Sequence, residues 1–184
     1  MFDYGIVEGF IMKKIELKLI SELLKDSRRS DRDLAKAIGT SQPTVTRTRR
    51  RLEKEGYIKE YTMIPDFTKI GYKILALTFA LSQALNKEEA ERAKKLLADS
   101  VKNKRFEFIM LERGLGLGFD AVVISLHEDY SSYLNVLKWL RQFEFVDVTK
   151  IDSFLVDLAD GVHYRPLTFS TLAKHLLLQA EKKE

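Results

Sequence analysis

The 184-residue sequence contains no cysteine. That excludes a disulfide framework, a thiolate nucleophile, an iron–sulfur cluster and any cysteine-ligated zinc. A reducing cytoplasm is the compartment expected. Histidine is scarce as well, and His127, His163 and His175 stand at spacings that match no metal motif. Each reads as a surface or packing residue, and no metal or other cofactor is expected. Long apolar runs are also missing: the longest, Ile74 to Leu85, is about twelve residues and is broken by Thr78, Ser82 and Gln83, against roughly 20 for a spanning helix. The opening residues lack a basic segment and carry Asp3 and Glu8, so neither a membrane partner nor a signal peptide is expected.

What is present suits a globular protein of one large or two small domains, with 45% hydrophobic and 32% charged residues. The net charge is only +4, so its distribution matters more than its size. Arg47, Arg49, Arg50, Arg51 and Lys54 fall in one window, opposed only by Glu53 and Glu55. Such a cluster is either a solvated helix face or an anion-binding patch.

The amino-terminal third reads as three short helices. Leu17, Ile20, Leu23 and Leu24 recur at helical spacing between Glu16 and Lys25. Ser30 with Asp33 forms a capping pair for a helix from Asp31 to Ile38, which Gly39 stops. Ser41 caps a third helix, with Pro43 in its first turn and Gly56 beyond its end. Helix, glycine-containing turn and helix make a helix-turn-helix. Tyr57 to Ile64, rich in β-formers, and the turn at Pro65-Asp66 predict a strand pair that would form a wing.

A wheel on the third helix, at about 100° per residue, puts Val45 and Leu52 on the core side. Pro43, Thr46, Arg47, Arg50, Arg51 and Lys54 lie opposite, with the amide and hydroxyl groups of Gln42, Thr44 and Thr46 at the amino end. A helix that reads the major groove needs short polar groups and arginine near its N-terminus for base edges, and further cations for phosphates. Double-stranded DNA is therefore the expected partner, with Gln42, Pro43, Thr44, Thr46 and Arg47 toward bases and Ser41, Arg50 and Arg51 toward phosphates.

The remainder reads β-α-β-β-α-β, the order of a ferredoxin-like sandwich with an antiparallel sheet and both helices on one face. Large Leu75, Leu77, Phe79 and Leu81 alternate with smaller residues in the first strand. Asn86 with Glu89 caps a helix burying Ala90, Ala93, Leu97 and Val101. Phe106 to Leu111 is a strand that Gly114, Gly116 and Gly118 break, and Asp120 to His127 is the next. Tyr130, Tyr133, Leu134, Leu137 and Leu140 mark the second helix, and Val146 to Leu158 is the last extended stretch. The sheet's other face needs cover, which a second subunit would supply. The tail from Thr168 predicts a helix with Leu172, Leu176 and Ala180 in a stripe, either a dimer contact or a cover for the core. The glycine run is no dinucleotide fingerprint, because it leads into a strand. It is a β-turn, or else a backbone lining for an effector carboxylate.

Several segments together resemble the leucine-responsive regulator/AsnC family of transcription factors over about Ile15 to Phe169. They are Lys18-Leu19-Ile20-Ser21-Glu22-Leu23-Leu24, Asp33-Leu34-Ala35-Lys36-Ala37-Ile38-Gly39, Ser41-Gln42-Pro43-Thr44-Val45-Thr46-Arg47 and Leu52-Glu53-Lys54-Glu55-Gly56-Tyr57-Ile58. Gly118-Phe119-Asp120 resembles the family's effector-domain turn, and Ser153-Phe154-Leu155-Val156 with Arg165-Pro166-Leu167 its closing strand. The resemblance implies an α+β chain: an N-terminal winged helix-turn-helix followed by a ferredoxin-like βαββαβ effector and dimerisation domain. It also implies promoter binding tuned by an amino acid or similar small molecule, with Gly116, Gly118, Phe119 and Asp120 as effector candidates, in a homodimer or higher homo-oligomer.

The divisions expected are an extension over 1–14, a DNA-binding domain over 15–66, a linker over 67–73, an effector domain over 74–167 and a terminal helix over 168–184. Where the family usually carries Ile or Val, this sequence has Arg49, about 40° from Val45 on the wheel. Its guanidinium has to snorkel or pair, and Glu53 is within reach. Two other functions fit the same architecture. Siroheme decarboxylases bind a tetrapyrrole in place of DNA, although this chain keeps a cationic third helix, and no enzyme is expected. A sequence-neutral architectural protein would coat or bend DNA without reading it.

Overall fold

The computed structural model describes residues 12–82, 87–103, 107–162 and 164–182. Ten elements follow one another: α1 Lys14–Lys25, α2 Asp31–Ile38, α3 Gln42–Lys54, β1 Ile74–Ser82, α4 Lys87–Lys102, β2 Glu107–Gly116, β3 Phe119–His127, α5 Tyr130–Leu140, β4 Val146–Asp157 and α6 Ser170–Glu181. The chain divides into two compact units, one of residues 1–64 with 164–184, the other of residues 65–163. Among the described residues no helix is long and apolar enough to cross a membrane. The expected Asn86 cap and the residues Phe106 and His163 lie outside the described residues, as does most of the amino-terminal extension.

In the first unit the capping chemistry sets the helix limits. Glu16 Oε2 accepts a bond from the Lys13 backbone N–H at 2.8 Å and fixes the start of α1. Ser30 Oγ accepts from Asp33 N at 3.2 Å and donates to the Asp33 carboxylate at 2.6 Å, and Gly39 closes α2 at φ 73°. Leu19, Leu23, Leu34, Ala35, Val45 and Leu52 form the buried core of the three helices. The strand pair expected over Tyr57–Ile64 is not formed. Tyr57 and Ile58 turn their amides back to Leu52 O, and the Tyr61 hydroxyl donates to Glu53 Oε1 at 2.7 Å. The segment is fastened to α3 at these three residues, and its β-forming residues meet no partner strand.

The carboxyl-terminal helix completes this unit. Ala173 and Ala180 are fully buried against α1, with Leu176 and Leu177 half-buried, and Ser21 Oγ donates to Ala173 O at 2.7 Å. Of the expected stripe, Ala180 is buried and Leu176 half-buried, but Leu172 is 52% exposed and Ala173 faces inward in its place. Small alanines at the contact let the two helices approach closely. Helix α1 is therefore covered on two sides, which accounts for the burial of Leu17 and Ser21 besides Leu19 and Leu23.

The second unit is a four-stranded antiparallel sheet in the order β2-β3-β1-β4. Its β-α-β-β-α-β connectivity gives the split, ferredoxin-like arrangement. Small β1 residues, Ala76, Thr78 and Ala80, face the helices. Beneath α5 they join Val123 and Ile151, packed with Val136, Trp139 and Leu140. A register shift between Phe108 and Met110 turns both Phe108 and Leu111 to this side. Large residues take the other face: Leu77 pairs with Ile124 and Phe154, Leu75 with Val156, and Phe79 with Val122. Phe154 there is 66% exposed.

Candidate nucleic-acid interface

Helix α3 presents its cations in three different settings. Its start is fixed by Ser41, whose Oγ accepts from Thr44 N at 3.4 Å and lies 2.8 Å from Thr44 Oγ1. Gln42 and Pro43 follow in the exposed first turn. Arg47 and Arg50 stand fully on the outer face and carry no ion pair among those formed by the described residues. Together with Gln42, Pro43 and Thr46 they line an open hollow along the helix. A surface that keeps guanidinium groups solvated and uncompensated is what an incoming phosphate or guanine edge requires.

The two shoulders of the helix are engaged inside the protein. On one, Thr46 Oγ1 donates to Asp31 Oδ2 at 2.6 Å and lies 3.1 Å from Gln42 O. Beside it, an Arg49 guanidinium nitrogen lies 2.9 Å from Asp31 Oδ1, whereas Glu53 is 3.9 Å away. Asp31 is thus the principal partner of Arg49, and the expected Glu53 is the secondary one. Glu53 in turn accepts from Tyr61, whose phenol is pushed up to about 12 by burial and by the neighbouring Glu53 carboxylate. On the opposite shoulder Arg51 is ion-paired with the buried Glu16 of α1.

The structure therefore brings Gln42, Pro43, Thr46, Arg47 and Arg50 together, places Ser41 and Thr44 at the helix start, and turns the Arg51 guanidinium to α1. Sequence reasoning missed Asp31 and Glu16. Both read as ordinary first-turn acids, which satisfy helix N-termini, and nothing local discloses that they also reach α3.

A winged helix-turn-helix DNA-binding model matches residues 12–59. LrpC, a helix-turn-helix transcriptional regulator of Bacillus subtilis, is 42% identical over 69 residues, covering 38% of this chain and 48% of its own. A regulator of the same type from Pyrococcus abyssi is 30% identical over 156 residues, 85% of this chain and 100% of its own length. The chain belongs to the Lrp/AsnC family. It spans about half the length of relatives such as LrpC in the matched sequence and the whole of the Pyrococcus abyssi protein. In fold, a transcriptional regulator from Neisseria meningitidis, crystallised as an L-Met complex, superimposes with a TM-score of 0.70 at 18% identity, covering 90% of this chain and 99% of its own.

For an Lrp/AsnC chain the glycine turn is the other place of interest. Strand β2 continues through Gly114 to Gly116, so these glycines do not break it as expected. Gly116 pairs with Phe119 across a two-residue turn of Leu117 and Gly118, with φ of 55° and 83°. Asp120 accepts from the Ser82 amide at 2.7 Å and also from the Ser82 hydroxyl, tying β3 to β1. Phe119 packs on Phe79 with ring centroids 5.9 Å apart. Of the four effector candidates, Gly116 and Gly118 shape the turn, while Phe119 and Asp120 brace it.

Proposed function

We propose that this Lrp/AsnC chain is a sequence-specific DNA-binding transcriptional regulator. The observation that carries the reading is the pair Arg47 and Arg50, exposed on the outer face of α3 without acidic partners among the described residues, while the neighbouring Arg49 and Arg51 are paired. In this reading Gln42, Pro43, Thr44, Thr46 and Arg47 meet base edges, and Ser41 and Arg50 hold phosphates; Arg51 joins them only by leaving Glu16. The apolar outer face of the sheet, with Leu75, Leu77, Phe79, Ile124, Phe154 and Val156, supports a homodimer or higher homo-oligomer. The methionine complex of the Neisseria regulator supports an amino acid or similar small molecule as effector, and we assign Gly116, Gly118, Phe119 and Asp120 as the residues that meet it. The two described histidines lend no support to a tetrapyrrole enzyme: His127 is buried and His175 is bonded to Gln179 at 2.9 Å.

Gel shifts on genomic fragments over a salt series test the reading. Wild type should select particular fragments, and the Arg47→Ala, Arg50→Ala double variant should lose both affinity and selection. Equal binding by the two proteins would end it. Selection indifferent to sequence would instead favour the architectural alternative.

A further inference from the structure

Thr46 sits in the hollow on α3, yet its polar atom is spoken for. A threonine hydroxyl has one proton, and a carboxylate can only accept. The bond to Asp31 Oδ2 at 2.6 Å, with Gln42 O 3.1 Å away, commits that proton to acceptors within the protein. Both contacts draw Oγ1 toward α2 and back along the helix. The remaining heavy atom on Cβ is the methyl, which is the group Thr46 has left to contribute to the hollow shared with Gln42, Pro43, Arg47 and Arg50. The Pro43 ring lies one turn earlier on the same face. An apolar spot framed by an amide and two guanidinium groups is the result.

We infer that this spot reads the 5-methyl group of a thymine, with the Thr46 methyl in contact and Asp31 fixing its orientation. In the major groove the thymine methyl is the one apolar group on any base edge, while guanine offers the acceptors that arginine prefers. The hollow thus matches a thymine beside a position met by Arg47. The assignment rests on the DNA-binding reading above and specifies one base and one atom within it. Thr46 is a specificity residue through its methyl, and Asp31 is a positioning residue acting through Thr46.

The test uses the full chain and a duplex that it selects from a random pool. Each thymine is replaced singly by deoxyuridine, which removes only the methyl. One thymine per half-site should then weaken binding about fourfold, the effect of exposing a single buried methyl group. Thr46→Ser keeps the hydroxyl for Asp31 and loses the methyl, so it should bind the thymine duplex about fourfold more weakly and ignore the uracil replacement. Thr46→Val keeps the methyl and should retain the uracil penalty. No sensitive thymine with wild type, or a penalty that persists in Thr46→Ser, overturns the inference while DNA binding stands. Failure to select any duplex overturns both.

Discussion

Arg49 of α3 lies 2.9 Å from Asp31 at the start of α2, with the two side chains only 29% and 11% exposed. The approach is a close ion pair rather than an aligned hydrogen bond, since Asp31 Oδ1 has no hydrogen-bond donor. An ionic contact thus occupies a place where the family resemblance calls for an aliphatic one. Withdrawing the cation leaves a sequestered carboxylate met, among the described residues, by Thr46. Arg49→Ala should therefore lower stability by about 1–3 kcal/mol. Placing Arg49→Ile in an Asp31→Ala background should recover most of that loss, because an apolar pair replaces a desolvated ionic one. Urea denaturation of the three proteins decides the matter; an Arg49→Ala chain as stable as wild type would remove the pair from the account of α3 packing.

Arg50 and Arg51 are neighbours in sequence with opposite expected phenotypes. Arg50 is exposed and unpaired among the described ion pairs, whereas Arg51 meets the buried carboxylate of Glu16. Arg50→Ala should reduce the slope of log K against log salt by about one and leave unfolding unchanged. Arg51→Ala should leave the salt slope intact and lower stability by about 1–3 kcal/mol, since Glu16 loses its charge partner. Paired salt titrations and melts check both, and a reduced salt slope for Arg51→Ala would place its guanidinium on DNA after all.

The contrast between these residues also marks how far the sequence could be read. Azimuth on a helix is local information, so Val45 and Leu52 were recognisable as core and Arg47 and Arg50 as outward. Partners are not local: the acids that engage Thr46 and Arg51 come from 15 and 35 residues away. The limits of α2 were legible in Ser30, Asp33 and Gly39 because caps act over three residues. At Tyr57–Ile64 the β-forming residues misled, since a strand needs a partner and the segment instead fastens to Leu52 and Glu53. Alternation in β1 disclosed a strand but not which side the helices take. Small Ala76, Thr78 and Ala80 lie beneath them and the large residues face outward. The stripe of α6 was legible in Leu176 and Ala180, but its docking on α1 was not, because Ala173 carries almost no hydrophobic signal and the partner helix lies far away in sequence.

His127 gives the second unit a pH response. It is buried beside Ser125, whose Oγ lies 2.8 Å from Nε2, and the Tyr133 ring stands edge-on at 5.7 Å. Burial holds the imidazole below its ordinary 6.5, against a smaller opposing pull from Glu107 and Asp129. Above pH 6.5 the ring is neutral in both folded and unfolded chains and stability does not depend on it. Below that value the unfolded chain takes up a proton that the folded one resists, so stability falls as pH falls and levels off once the folded value is passed. Trp139, the sole tryptophan, is buried in the same unit and reports its unfolding. Urea midpoints followed by its fluorescence should drop as pH falls below about 6.5 in wild type and hold steady in His127→Gln. An identical drop in both proteins would assign it elsewhere.

Leu117 occupies the first central position of the β2–β3 turn at φ 55° and is 85% exposed. With Gly118 also at positive φ, the turn has the twist that suits a right-handed hairpin, a conformation that asparagine and glycine adopt readily and leucine does not. Its side chain gains nothing from packing that would offset the strain. Leu117→Asn should therefore raise the stability of the second unit by about 0.5–1 kcal/mol, with Leu117→Gly gaining less because glycine also loosens the unfolded chain. The measurement is again the urea midpoint from Trp139 fluorescence, taken at a protein concentration low enough to suppress association. A loss of stability in Leu117→Asn at that concentration would overturn the strain argument, whereas a loss that arises only at higher concentration would mean that the exposed leucine is held by a contact formed in the assembled protein.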